Sequence, residues 1–381
     1  MSLPDDTTQS HANAKRICDM LGKGYSYLFK KGRTKCHWEE VRSTALAGIC
    51  LAIKERKSSP WREGVERWIR EQQIPEGKES AGSWGEEIWD TSMSVLALKH
   101  LGVPPSDPVI RNAFEWIERI RELNPHNCWH YEPWETSWAL IAILNERTNL
   151  SSDEKSRLLS AVDWLAKLQD DTGKIVSPHY TGYFVMIHKL LRDWQEIHGD
   201  VLLGERADAF RRTRDRAVQF LLNLLCDSQP AHLWTNEAWS NGQILWALAE
   251  SNLFPVAETD LVNKTIRWFE EKQDERPSEG NWDDIEDTAC AILGLLFLWQ
   301  NLESRSLADL IPRLDRDAPA PPPRARWIAF ERQSGMGRTI FISDRFLYWA
   351  GGIVTAVFLV YELVDKIWSL IKTVVSWIIP N

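Results

Sequence analysis

An aromatic anchor recurs along this chain at a nearly fixed step. That periodicity constrains the fold more than any other feature. The anchors Trp68, Trp116, Trp164, Phe220 and Trp268 follow one another at intervals of 48, 48, 56 and 48 residues. Each lies in an amphipathic helical context such as Val65-Glu66-Arg67-Trp68-Ile69 or Thr265-Ile266-Arg267-Trp268-Phe269, with charges on one face. The one long step coincides with a charged insert at 206–216. A period of this length marks stacked supersecondary units, none of which can bury its apolar face alone.

A second series of segments alternates with the anchors, at 44–49, 91–98, 136–142, 183–187, 242–248 and 288–293. These are more apolar and rich in small residues, as helices that pack closely on all sides must be. With an N-terminal helix at 12–29, the count is six outer and six inner helices. Six hairpins can close on themselves, whereas an open solenoid needs polar caps. The expectation is an all-α fold, an (α/α)6 toroid of six helical hairpins over residues 11–303, after a disordered N-terminus at 1–10. Strand signals are weak throughout.

The totals narrow the class. Hydrophobic residues make up 44% of the chain, ample for a core of that size. The 21 tryptophans point to a repeated structural role or an aromatic-lined cavity, because each indole N–H needs a partner when buried. The formal net charge of −9 argues against nucleic acid as a partner. The six cysteines form no CxxC pair, so neither a disulfide framework nor a structural zinc site is expected, and the thiols are read as reduced. The N-terminus lacks a basic and an apolar region, so no signal peptide is expected.

After Asn301 the pattern breaks. Residues 304–345 read as a linker, with Pro319-Ala320-Pro321-Pro322-Pro323 followed by Arg324, Arg326, Arg332, Arg338 and Arg345. Residues 346–364 then carry a single charge, Glu362. At ~1.5 Å per residue they span close to the ~30 Å hydrocarbon core of a bilayer. The expectation is a C-terminal transmembrane or membrane-anchor helix within 346–381. Segment 367–379 either lies on the membrane or extends the span. The preceding arginines place the toroid in the cytoplasm.

Loop residues carry a family resemblance. Gln73 precedes Gly82-Ser83-Trp84, Gln273 precedes Gly280-Asn281-Trp282, and Gln169 precedes Gly173 and Ile175. This arrangement resembles the Gln-to-Trp repeat of squalene-hopene cyclases and related class II terpene cyclases, over about 290 residues of the chain. The glutamine amide is expected to satisfy free N–H groups at the next helix start, with the indole stacked nearby. Asp284-Ile285-Glu286-Asp287-Thr288-Ala289 resembles the Asp-x-Asp-Asp-Thr-Ala motif of the same family. The resemblance implies that Glu286, flanked by Asp284 and Asp287, protonates an alkene or epoxide and starts ring closure. The chemistry needs a neutral carboxyl of raised pKa, which crowded carboxylates can supply. It also needs aromatic rings to stabilise a migrating cation, and Trp89, Trp134, Trp138, Tyr183, Trp239 and Trp246 are the candidate lining. The implied ligand is a lipidic isoprenoid, a polyprene or a prenyl diphosphate. No cofactor is implied, apart from Mg²⁺ if the substrate carries a diphosphate. The family site lies between two toroids and this chain has one, so a homo-oligomer would supply the missing wall.

A structural reading stands beside the catalytic one. The other inner-helix starts include Trp89-Asp90-Thr91-Ser92 and Trp134-Glu135-Thr136-Ser137. Acids and hydroxyls there cap free N–H groups and complement the helix dipole. On that reading the chain is a non-catalytic toroid, the ligand-sensing or scaffold head of a tail-anchored membrane protein, with a membrane-acting bacterial effector as a variant. Other motifs are weaker. Glu86-Glu87-Ile88-Trp89-Asp90 faintly resembles an Mg²⁺–diphosphate motif, and Asp283-Asp284-Ile285-Glu286-Asp287 fits an Asp-Asp-x-x-Asp pattern that belongs to a different helical bundle. The zinc set of protein prenyltransferases and the Cys-Gly-Glu-Gln thioester motif are absent. His100, His126, His130, His179, His188, His198 and His232 follow no ligand spacing and are expected to be satisfied polar residues.

Overall fold

The computed structural model describes residues 6–303, except 33–34, 39, 55–58, 123–127, 130–131, 148, 199–202, 229–231 and 277–278, together with 329–330 and 340–341. The first stretch is all-helical. Its helices are α1 (Asp6–Gly32), α2 (Val41–Lys54), α3 (Pro60–Gln72), α4 (Ile88–Leu101), α5 (Pro108–Glu122), α6 (Pro133–Glu146), α7 (Ser152–Lys167), α8 (Pro178–His198), α9 (Ala207–Asp227), α10 (Ala238–Glu250), α11 (Thr259–Asp274) and α12 (Ile285–Glu303).

Local chemistry sets the ends of these helices. Ser59 accepts from the Arg62 N–H at the start of α3, with Pro60 in the first turn. Ser151 and Glu154 form a reciprocal capping box on α7. The even-numbered helices are buried nearly all round; in α4 every residue from Thr91 to Leu98 is buried. The odd-numbered ones bury a single stripe; in α3 only Val65 and Ile69 are buried. Contacts follow the alternation. Helix α2 packs on α4, α4 on α6, α6 on α8, α8 on α10, α10 on α12, and α12 back on α2. In the other layer α1 packs against α11 as well as α12.

The tightest of these pairs is α10 with α12. A Cβ built on Gly294 would lie 2.6 Å from the Gly242 carbonyl oxygen, and one on Gly242 would meet the backbone of Cys290. Only glycine permits that approach. It brings the start of α12 against the start of α10, where the acidic motif lies.

One device recurs before every inner helix. The backbone N–H of Trp38, Trp84, Trp129, Ile175 and Trp282 donates to the hydroxyl of Thr44, Thr91, Thr136, Thr181 and Thr288, and that of Trp234 donates to the Asn241 side chain. The indole N–H of Trp38, Trp84, Trp234 and Trp282 also donates to a carbonyl of the preceding outer helix, from Leu28, Ile69, Leu221 and Phe269. Each of these four loops is thereby clamped to both of its helices. Five of the 21 tryptophans stand at these clamp positions.

Three expectations change. Residues 6–10, read as part of a disordered end, are helical. Gln9 bonds Asn263 at 3.3 Å and Ser10 bonds the Leu302 carbonyl at 3.3 Å, tying that end to α11 and α12. The repeat glutamines act as donors to carbonyls. Their amide nitrogens donate to two carbonyls each: Gln73 to Gly82 and Val109, Gln169 to Gly173 and Thr213, Gln273 to Gly280 and Met20. The physical reason is that each loop folds its own carbonyl towards the amide, beside a carbonyl of the next outer helix. Gln273 in this way joins α11 to α1. Finally, His188 was expected to be satisfied, but its Nε2 is buried without a partner among the described residues. Burial, with Arg214 and Arg192 nearby, lowers its pKa to about 4, so it is neutral. The six cysteines are all unbridged.

Residues 319–381 form a separate compact unit. Its described part is a short antiparallel pair, β1 (Ala329–Phe330) with β2 (Ile340–Phe341), Ala329 opposite Phe341. This pairing falls inside the stretch read as linker. The proposed anchor at 346–381 lies outside the described residues. Among the described residues no helix is long and apolar enough to cross a membrane.

Candidate functional site

Counting from the clamp residue of each inner helix exposes a layered interior. Two residues before it stand Arg42, Trp89, Trp134, His179, Trp239 and Glu286. Two residues after it stand Leu46, Met93, Trp138, Tyr183, Gln243 and Cys290. Five after it stand Ile49, Leu96, Ile141, Met186, Trp246 and Leu293. The spacing keeps these positions on one face of each helix. The six aromatic residues singled out from the sequence all fall in these layers, together with Glu286.

The first layer makes a set of contacts at the helix starts. The Arg42 guanidinium lies 3.8 Å from the Trp89 ring centre and 3.8 Å from the Glu286 carboxylate. It also pairs with Asp90 at 3.1 Å and Glu87 at 3.4 Å. Trp89 meets Trp134 edge-on at 5.2 Å, and His179 meets Trp239 at 5.1 Å. Burial opposes the charge on Arg42, but Asp90, Glu286 and Glu87 outweigh it and raise its pKa. Glu86-Glu87-Ile88-Trp89-Asp90 thus turns Glu87 and Asp90 towards an arginine. Among the described residues no cluster of three or more potential ligands has metal-binding geometry.

Three carboxyls here are held near neutrality. Burial, with Asp284, Asp287 and Asp90 nearby, raises Glu286 to about 7 against the pull of Arg42. Burial raises Asp287 to about 7, although it accepts a backbone hydrogen bond. Burial and the charges of Glu87 and Glu132 raise Glu135 to about 7. Burial also raises Asp90, with Arg42 opposing.

The motif residues divide by task. Asp284 is exposed and caps α12: its carboxylate accepts the Asp287 N–H at 2.9 Å, and its carbonyl accepts the Thr288 hydroxyl at 2.6 Å. Asp287 is buried and accepts the Trp239 backbone N–H at 2.6 Å, which caps the neighbouring helix α10. Asp283 has φ 123°, and its carbonyl is held by Asn281 at 2.6 Å and Arg276 at 3.0 Å. Thr288 is the clamp that the other repeats carry in the same place, as threonine in four of them and as Asn241 before α10. Glu286 alone has no helix end to serve.

The second layer fills the space below Glu286. Trp138 packs on Tyr183 at 5.1 Å, Tyr183 donates to Gln243, and Gln243 reaches the Cys290 sulfur at 3.5 Å. Beyond it lies a cavity of about 120 Å³ lined by the deeper layers, including Leu96, Met186, Trp246, Leu293 and Phe297. Glu286 is not among its walls. Leu293, which is, stands seven residues further along α12, so the two are ~10 Å apart along the helix. The expected lining therefore splits. Trp89, Trp134 and Trp239 accompany Glu286, Trp138 and Tyr183 form the partition, and Trp246 stands in the cavity.

Sequence reasoning passed over Arg42 and read His179 only as a satisfied polar residue. Their signal is register: each precedes its clamp threonine by two residues, as Glu286 precedes Thr288. No family model matches the chain, and no curated protein matches it significantly.

Proposed function

We propose that residues 11–303 form an (α/α)6 toroid acting as a non-catalytic, ligand-sensing or scaffold head, carried by a C-terminal membrane anchor within 346–381. The toroid reading is supported by the circuit of contacts that runs through the inner helices and returns from α12 to α2. The anchor rests on the apolar segment 346–364, and the cytoplasmic side of the head on the arginines before it. The partners of such a protein are an apolar or lipidic ligand in the bore and the membrane itself. A negative head does not suit nucleic acid, and an isolated toroid can associate with a second copy.

The observation that carries the non-catalytic reading is the use of the three motif carboxylates. Asp284 caps α12, Asp287 caps α10, and Glu286 pairs with Arg42 above a filled layer. Acid-initiated cyclisation needs the proton donor against the substrate chain. It also needs volume, and about 120 Å³ is well below the ~300–1,000 Å³ of ordinary ligand pockets.

One observation favours the second reading, a class II terpene cyclase-like isomerase. A carboxyl with a pKa of about 7, on the face of α12 that corresponds to the faces carrying Trp89, Trp138 and Tyr183 on their own helices, is the acid such chemistry would use. Incubating the membrane-bound full chain with squalene and with C15 and C20 prenyl diphosphates separates the two. No cyclised product is expected; a product that Glu286→Gln abolishes selects the second reading. For the anchor, deletion of 340–381 is expected to release the head from membranes, and unchanged association removes that claim.

A further inference from the structure

The cavity beyond the Trp138–Tyr183–Gln243 partition follows the repeat register over its whole depth. Its walls are the residues five past each clamp and, at the far end, those nine past each clamp: Ile53, His100, Asn145, Leu190, Glu250 and Phe297. All six inner helices contribute to both layers. We propose that this cavity binds an alkyl chain of about six carbons, tail towards the partition, whose uncharged hydroxyl head donates to the Asn145 side-chain oxygen at the far end. This rests on the ligand-sensing part of the proposed function and names the ligand class.

Polarity sets the direction. The layer five past each clamp holds only hydrocarbon, thioether and indole side chains. The far layer carries His100, Asn145 and Glu250, with Lys99 beside them, and His100 is exposed. An amphiphile therefore buries its chain inward and keeps its head at the far end. At the partition the Tyr183 hydroxyl already donates to Gln243, and the Gln243 amide to the Cys290 sulfur.

Size sets the chain. From Trp138 in the partition to Asn145 in the far layer is seven residues, ~10 Å along a helix. The volume is about 120 Å³, against about 150 Å³ for an apolar cavity that holds one benzene. Drawn out over that depth, it admits one narrow chain and excludes a polyprene.

Asn145 sets the head. Its Nδ2 donates to the Ile141 carbonyl one turn back, at 2.8 Å. That bond turns Oδ1 away from the carbonyl and leaves it an acceptor with no partner among the described residues. A hydroxyl supplies the missing donor. The charges nearby are already paired, Lys99 with Glu146 at 3.4 Å and Glu250 with Lys189 at 2.8 Å, so neither sign of head group is favoured.

The test titrates the full chain with 1-hexanol and its isomer 1-methoxypentane, which has the same atoms but no donor, followed by calorimetry and ligand-observed NMR. 1-Hexanol is expected to bind about fivefold more tightly, the worth of one ordinary hydrogen bond. Asn145→Leu removes the acceptor and nearly keeps the volume, so it is expected to equalise the two. Leu293→Phe fills the path of the chain and is expected to abolish both. If that variant fails to fold, Asn145→Leu carries the test alone. Hexanoate and hexylammonium are expected to bind more weakly than 1-hexanol. 1-Decanol, longer than the cavity is deep, is expected to bind no more tightly. Absence of 1-hexanol binding overturns the proposal and leaves the non-catalytic head standing as a scaffold. So does a hexanol preference that Asn145→Leu leaves unchanged, a charged homologue that binds tightest, or an affinity that climbs on to 1-decanol, the mark of surface adsorption. A cyclised isoprenoid product removes the non-catalytic reading instead, and the titrations decide the cavity by themselves.

Discussion

Arg42 and Glu286 occupy the same position in their repeats, two residues before Thr44 and Thr288, and their side chains meet at 3.8 Å where α2 adjoins α12. The pair joins the first inner helix to the last. It also occupies the one carboxylate of the acidic motif that no helix end uses.

Arg42 holds Glu286, Asp90 and Glu87 together. Arg42→Ala is expected to destabilise the fold by about 1–3 kcal/mol, below the cost of a fully buried broken pair because the group is partly exposed. Arg42→Lys keeps the charge but loses the planar stacking on Trp89, and is expected to recover only part of the loss. Chemical denaturation of the three proteins checks the order.

Asp287 holds the start of α10 through the Trp239 N–H. Asp287→Ala is expected to cost about 1–2 kcal/mol, the range for a lost helix cap, whereas Asp287→Asn keeps an acceptor and costs much less. Equal losses in the two variants would mean that the charge, and not the cap, matters. Denaturant midpoints measure this.

The extent to which this was readable differs by feature. The anchor spacing exposed twelve helices because an apolar stripe of fixed period is a local property. The Trp-to-Thr clamp was present in the letters, six or seven residues apart, but looks like a helix start with a nearby aromatic until the hydrogen bond is seen. The direction of the glutamine bonds was misread because an amide both donates and accepts, and only the folded loop shows that carbonyls face it. Asp287 was harder still. Its partner lies 48 residues away on another helix, brought near by the Gly242–Gly294 approach. The position of Glu286 relative to empty space depends on how Trp138, Tyr183 and Gln243 pack together, which no single repeat specifies.

The Thr clamp predicts a graded series. Thr91→Val removes the acceptor of the buried Trp84 N–H while nearly keeping the shape. It is expected to cost about 1–3 kcal/mol, the penalty for an orphaned buried donor. Thr44→Val and Thr288→Val are expected to cost similar amounts, since Trp38 and Trp282 depend on them in the same way. A neutral result at all three sites, read by thermal unfolding, would remove the clamp from the account.

The raised carboxyls give a pH dependence with a definite sign. Glu135 sits at about 7 in the fold against 4.5 for the free side chain. The folded state therefore keeps a proton that the unfolded chain releases, so this contribution is full below about pH 4.5 and is lost as pH rises through about 7. Glu286 acts in the same direction. His179 and His188, lowered to about 4 by burial, act oppositely between about pH 4 and 6.5. Subtracting variant from wild type isolates one group. Glu135→Gln is expected to lose less stability than wild type between about pH 5 and pH 7, as measured by unfolding at each pH. The reverse order contradicts the assignment.

The measurement that bears most directly on the central claim is product analysis with membrane-bound full chain, wild type beside Glu286→Gln. Both are given squalene and C15 and C20 prenyl diphosphates, with and without Mg²⁺, and analysed by mass spectrometry. With the acidic motif serving as helix caps and an Arg42 partner, neither protein yields a cyclised product. A cyclised product from wild type that disappears in a folded Glu286→Gln variant contradicts the account.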